Sequence, residues 1–117
     1  MKVLIIINDA PYGTEKAYNA LRLATTIMKE HEGTEMCIFL MADAVGCAIP
    51  KQNTPNGYYN IERMLKIVLN KNGKIKLCTS CVESRGLKEM KFIDGAELSS
   101  MKELTQILVE SDRVNKF

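Results

Sequence analysis

Two unbroken apolar runs constrain this chain more than any other feature. Residues 3–7 read VLIII and residues 36–41 read MCIFLM. Neither run alternates with polar residues, so both faces of each segment must be covered, as in the interior strands of a parallel sheet. Such a sheet needs helices on its two faces. Strands near residues 2–8, 35–41 and 74–77 are therefore expected to lie parallel in one sheet between helical layers.

The intervening segments carry the matching helical pattern. Asn8, Asp9, Ala10, Pro11, Tyr12 and Gly13 end the first run. Thr14 then stands as an N-cap ahead of Ala17, Ala20, Leu21, Ala24, Ile27 and Met28, which share one face of a helix ending near residues 31–33. Ile61, Met64, Leu65, Val68 and Leu69 mark a second helix, closed at Asn72 and Gly73 with Gly73 as the left-handed cap. Between them, residues 42–60 hold Gly46, Cys47, Pro50, Pro55 and Gly57, a long connection with one short helical turn near residues 44–47.

A short helix is expected from about residue 80 to 85, stopping at Gly86. Residues 87–92 either continue as a further helical turn or lead into an edge segment. Residues 96–98 form a short strand, Ser99 or Ser100 caps a helix whose inner face is Leu104, Ile107 and Leu108, and residues 114–117 supply a last strand. With 117 residues and no repeat or linker, the chain reads as one domain, 1–117. The expected architecture is α/β: a three-layer α/β/α sandwich around a mostly parallel, five-stranded sheet.

Composition excludes several classes. At 46% hydrophobic and 26% charged residues the chain is globular rather than disordered. A formal charge of +2 is too near balance to indicate nucleic acid, although residues 71–91 hold a local excess of +4. No RNA-binding motif accompanies Tyr58 and Tyr59, which suit loop packing or an oligomer contact, and no direct nucleic-acid partner is expected. The apolar start is too short for a leader or a membrane span, and four cysteines do not make a disulfide scaffold. A reducing cytoplasmic setting is expected, with the cysteines present as thiols.

In parallel sheets the chemistry gathers at the carboxyl ends of the strands. Three loops qualify: residues 8–14, 42–60 and 78–81. The first lacks GxGxxG and GxxxxGK[ST], so no nucleotide cofactor is expected. The third holds Cys78 and Cys81 at CxxC spacing, directly after a strand and before a helix, where free N–H groups and the helix dipole favour a thiolate. Arg85 lies one turn beyond. The pair fits a reactive Cys78 helped by Cys81, a reversible disulfide, or buried structural thiols.

Two cysteines fall short of the four ligands of a closed zinc site even with Cys47 approaching as a third, and no metal is expected. Cys47 suits either a packed thiol or a relay across from Cys78. Asp9 and Asp43 each follow a strand, where a carboxylate can orient a ligand or cap a helix. Cys37, inside an apolar run, is expected to be inert, and His31 suits the last turn of the first helix.

The segments KVLIIINDAPYGTEKAYNALRLA, FLMADAVGCAI and KLCTSCVESRGL together resemble the DsrE/DsrF-like family, in particular its stand-alone YchN-like branch. The resemblance implies a flavodoxin-like fold and a homo-oligomer, a trimer or a hexamer built from trimers. It also implies sulfur transfer, with sulfane sulfur carried as a cysteine persulfide and passed between donor and acceptor proteins. The family's sulfur-carrying cysteine matches Cys78, while Cys81 and Gly86 fall where the stand-alone branch tends to have cysteine and glycine. Two other classes remain open from the residues themselves: a non-catalytic oligomeric protein binding a small ligand, and a thiol–disulfide oxidoreductase using Cys78 and Cys81.

Overall fold

A computed structural model describes all 117 residues. The strands are β1 (Lys2–Ile7), β2 (Glu35–Leu40), β3 (Lys74–Cys78), β4 (Ala96–Ser99) and β5 (Arg113–Lys116). The helices are α1 (Lys16–Glu30), α2 (Ile61–Asn70), α3 (Thr79–Ser84) and α4 (Met101–Glu110), with a 3-10 segment over Ala42–Ala48. All four strand pairings are parallel, in the order β4-β3-β2-β1-β5.

Strand order and crossover handedness together decide which face each helix covers. From β1 to β4 the chain always steps in the same direction, so right-handed crossovers put α1, α2 and the 79–95 connection on one face. The step from β4 to β5 runs back across the sheet and sends α4 alone to the other face. The cores are correspondingly unequal. Val3, Ile5, Ile7, Ile38, Leu40, Ile75 and Leu77 point into a cluster of 22 buried residues with α1, α2 and the 3-10 segment. The alternate positions Leu4, Ile6, Cys37, Phe39 and Cys78 join Leu104 in a cluster of six.

One helix about 10 Å across cannot cover a five-stranded sheet roughly 19 Å wide. Met101, Leu108 and Val109 on α4 and Val114 on β5 remain exposed, Val109 to 71%.

Three local expectations change. The first helix begins at Lys16 with Glu15 as a cap that makes no side-chain bond; Thr14 instead donates to Asp9 at 3.3 Å. After α2 the left-handed residue is Asn72 (φ 68), and the Gly73 N–H reaches back to the Val68 carbonyl at 2.9 Å. Gly73 is needed for space: a Cβ there would stand 2.5 Å from Val68 Cγ1. Leu108, expected on the inner face of α4, is instead 41% exposed; residues 87–92 lead toward the edge strand β4, and Ile93 carries that connection into the larger core by donating to the Ala48 carbonyl at 3.0 Å.

Candidate functional site

The carboxyl ends of β2, β3 and β4 meet around Cys78. It is the last residue of β3 and the N-cap of α3, its Sγ accepting the Cys81 N–H at 3.3 Å. The Ser80 hydroxyl lies 3.3 Å from the same sulfur. From β4, the Ser99 carbonyl accepts the Thr79 hydroxyl at 2.7 Å and holds this turn to the next strand.

From β2 comes Ala42, whose N–H donates to Cys81 Sγ at 3.2 Å. Ala42 has φ 50, a left-handed conformation that disfavours any side chain. Arg85 closes the arrangement, donating from Nε to Asp43 at 2.9 Å and from Nη1 to the Cys81 carbonyl at 3.2 Å. The structure thus brings Cys78, Cys81, Arg85 and Asp43 together, and adds Ala42 and Ser80. Neither addition has a residue-type signal, because what matters is a backbone N–H or a hydroxyl placed by the fold.

The two thiols divide their character. Burial by itself raises the Cys78 thiol, but hydrogen bonds from Cys81 and Ser80, side chain and backbone, outweigh it and hold the group below its ordinary value. Cys81 moves the opposite way, raised by burial and by its hydrogen bond to Cys78 against the opposing pull of the Ala42 N–H. This is the pattern of one thiol donating to a neighbouring thiolate. Cys78 is nevertheless buried, at 7% exposure; Cys81 is the more exposed residue. The reason is non-local, since α4 returns to cover the sheet face that Cys78 occupies.

The remaining expected residues fall elsewhere. Cys47 is fully buried in the larger core on the other sheet face, and burial pushes its thiol up to about 12. It does not stand across from Cys78. Asp9 follows β1, two strands from β3, and pairs with Lys16 at 3.8 Å. Cys37 is buried on the same face as Cys78, its thiol pushed up to about 11 by burial. No group of three or more His, Cys, Asp or Glu side chains is placed to hold a metal ion. Tyr58 and Tyr59 stack at 4.5 Å and pack with Tyr12, from the loop after β1, and Tyr18 of α1, while Tyr58 stays 47% exposed.

A cavity of about 570 Å³ lies at the opposite end of the sheet, lined by Cys37, Lys74, Lys76 and Glu103 among others. It opens at the amino ends of the strands, where Cys37 is its only thiol and is held protonated. No helix is long and apolar enough to cross a membrane.

Comparison with known proteins agrees with this frame. The DsrE/DsrF-like family matches residues 1–117. Protein YchN of Escherichia coli is 38% identical over 116 residues, covering 99% of this chain and 98% of that protein. An uncharacterized protein of Methanocaldococcus jannaschii is 42% identical over the whole of both chains. The crystal structure of the Escherichia coli YchN protein superposes with a TM-score of 0.93 at 37% identity, covering 99% of this chain and 98% of that one. A protein of unknown function from Methanobacterium thermoautotrophicum shares the fold, with a TM-score of 0.80 at 9% identity and the same coverage.

Proposed function

The chain belongs to the DsrE/DsrF-like family, and from that premise we propose that it is a small oligomeric sulfur-relay protein carrying sulfane sulfur as a persulfide on Cys78. The observation that carries this assignment is the state of the Cys78 sulfur. Thiolates, not thiols, attack sulfur donors. Of the four cysteines, Cys78 alone is drawn below its ordinary range, by donors from Cys81 and Ser80; the thiols of Cys37, Cys47 and Cys81 are all raised.

The attack forms a bond from Cys78 Sγ to the donor's outer sulfur and breaks the bond between that sulfur and its former carrier, which leaves as a thiolate. The Ser80 and Cys81 donors that favour a thiolate on Cys78 also suit the anionic persulfide. The half-covered sheet face supports oligomerisation, and donor and acceptor proteins are the partners that a relay requires.

Intact-mass measurement after treatment with sodium polysulfide tests the assignment. An adduct of ~32 Da per chain is expected on one cysteine immediately after treatment. It fails to form in Cys78→Ser and forms in Cys47→Ser and Cys81→Ser. Retention of the adduct by Cys78→Ser refutes the assignment.

A further inference from the structure

A carrier of persulfide needs one thiol, and this site holds two. We propose that Cys81 is a resolving thiol that discharges the sulfur held on Cys78 as hydrosulfide, leaving a Cys78–Cys81 disulfide; the inference rests on Cys78 being the carrier.

Three observations lead to it. The Cys81 N–H touches Cys78 Sγ at 3.3 Å, so the two residues are already folded against each other. Both cysteines are free. Second, a donor from the 3-10 segment after β2 is aimed at Cys81 Sγ, the Ala42 N–H at 3.2 Å, from a left-handed alanine that only the surrounding structure can impose. That donor favours the thiolate form of Cys81, the form that attacks. Third, Cys78 is 7% exposed while Cys81 is more open. A sulfur on Cys78 has Cys81 beside it, and reaction within the site has the advantage of proximity. Cys47 and Cys37 do not compete, since the first lies on the other sheet face and both are buried.

The steps balance. The Cys78 thiolate attacks the outer sulfur of a small persulfide donor, giving a Cys78 persulfide and the donor's thiolate. Cys81 loses its proton to solvent and attacks Cys78 Sγ. The Cys78–Cys81 bond forms as the bond to the outer sulfur breaks, and that sulfur leaves with the electron pair as hydrosulfide. The outer sulfur is reduced by two electrons and the two cysteine sulfurs are oxidised by one each. A dithiol reductant restores the pair.

One equivalent of glutathione persulfide added to the reduced protein tests this, because its own leaving group is glutathione rather than hydrosulfide. The wild-type chain is expected to release close to one hydrosulfide per chain and to end ~2 Da lighter, recovering with dithiothreitol. Cys81→Ser is expected to release none and to hold the ~32 Da adduct at least tenfold longer than the wild type. Cys81→Ala, with circular dichroism matching the wild type, reproduces this if the serine variant folds poorly. Equal adduct lifetimes in wild type and both variants, or equal hydrosulfide release from them, overturns the resolving role while leaving the carrier in place. No adduct and no hydrosulfide from any of them overturns the carrier and the resolving role together.

Discussion

Arg85 and Asp43 form an ion pair, Nε to Oδ1 at 2.9 Å, that fastens the turn after Cys81 to the segment whose first N–H donates to the Cys81 sulfur. The pair is exposed, with Asp43 at 69%, so its direct contribution to stability is below about 1 kcal/mol. Its effect is on position. Asp43→Asn is expected to leave the urea unfolding free energy within ~1 kcal/mol of the wild type while speeding amide exchange at Ala42 and alkylation of Cys81. Unchanged exchange and alkylation would show that the ion pair does not hold the loop.

The four thiols should separate into two classes. Cys37 and Cys47, pushed up to about 11 and about 12 by burial, are expected to react with iodoacetamide only after denaturation. Cys78 should titrate below a free cysteine, since the donors around its sulfur outweigh burial. Cys81→Ala removes the thiol donor and leaves burial less opposed, so the Cys78 midpoint moves up. Cys81→Ser keeps a donor at that place and moves it less. Rate against pH, read by peptide mass, is the measurement; a Cys78 midpoint that falls in Cys81→Ala contradicts the sign.

Much of this architecture is readable from residue order, and the failures have physical causes. The runs at 3–7 and 36–41 announce interior strands because a helix-covered parallel strand has no polar side. Cys78 and Cys81 stand out because their spacing is that of one helical turn. The role of Cys78 as the cap of α3 has no such signal, since capping preferences are written in Ser, Thr, Asp and Asn. Its burial depends on Leu104, 26 positions later, returning over the sheet after the chain reverses direction at β4. Cys47 misleads for the same reason: loop position places it at the right edge of the sheet, and only the packing shows that it points into the opposite core.

Gly73 gives a packing test. A Cβ at that position would lie 2.5 Å from Val68 Cγ1 and 2.9 Å from the Val68 carbonyl oxygen. The oxygen belongs to α2 backbone and cannot turn aside as a side chain does. Gly73→Ala is expected to destabilise the fold by about 1–3 kcal/mol, the usual cost of overpacking. Asn72→Gly, which relieves a left-handed asparagine, should be nearly neutral. Chemical denaturation of the two variants distinguishes crowding from backbone conformation as the demand at this turn.

Acid dependence follows from Glu103. The Ser99 hydroxyl, then the Lys76 ammonium, hold its carboxyl below the usual range. A depressed carboxyl stabilises the fold above the unfolded value of about 4.3, and that contribution is lost as pH falls through the folded value. The Glu103 side chain is 46% exposed, so the effect stays below about 1 kcal/mol. Glu103→Gln should therefore lower stability slightly at pH 7 and converge with the wild type near pH 3. A gap between the two that widens on acidification would reverse the assigned sign.

The uncovered sheet face makes self-association the last expectation. α4 is the only helix on that side, and its outer surface presents Met101, Leu108 and Val109, with Val114 beside it on β5. Apolar side chains clustered this way on a small protein mark an association surface, and a stable interface needs roughly 800 Å² from each partner. Closed symmetry buries such a patch once per subunit, which agrees with the trimer or hexamer implied by the sequence resemblance. Light scattering at micromolar concentration is expected to return a mass several times 13.2 kDa. Val109→Asp, at a position 71% exposed in the protomer and so tolerated by the isolated fold, should lower that mass with the circular dichroism spectrum intact. A wild-type mass near 13.2 kDa refutes assembly altogether, and an unchanged oligomer in Val109→Asp moves the interface away from α4.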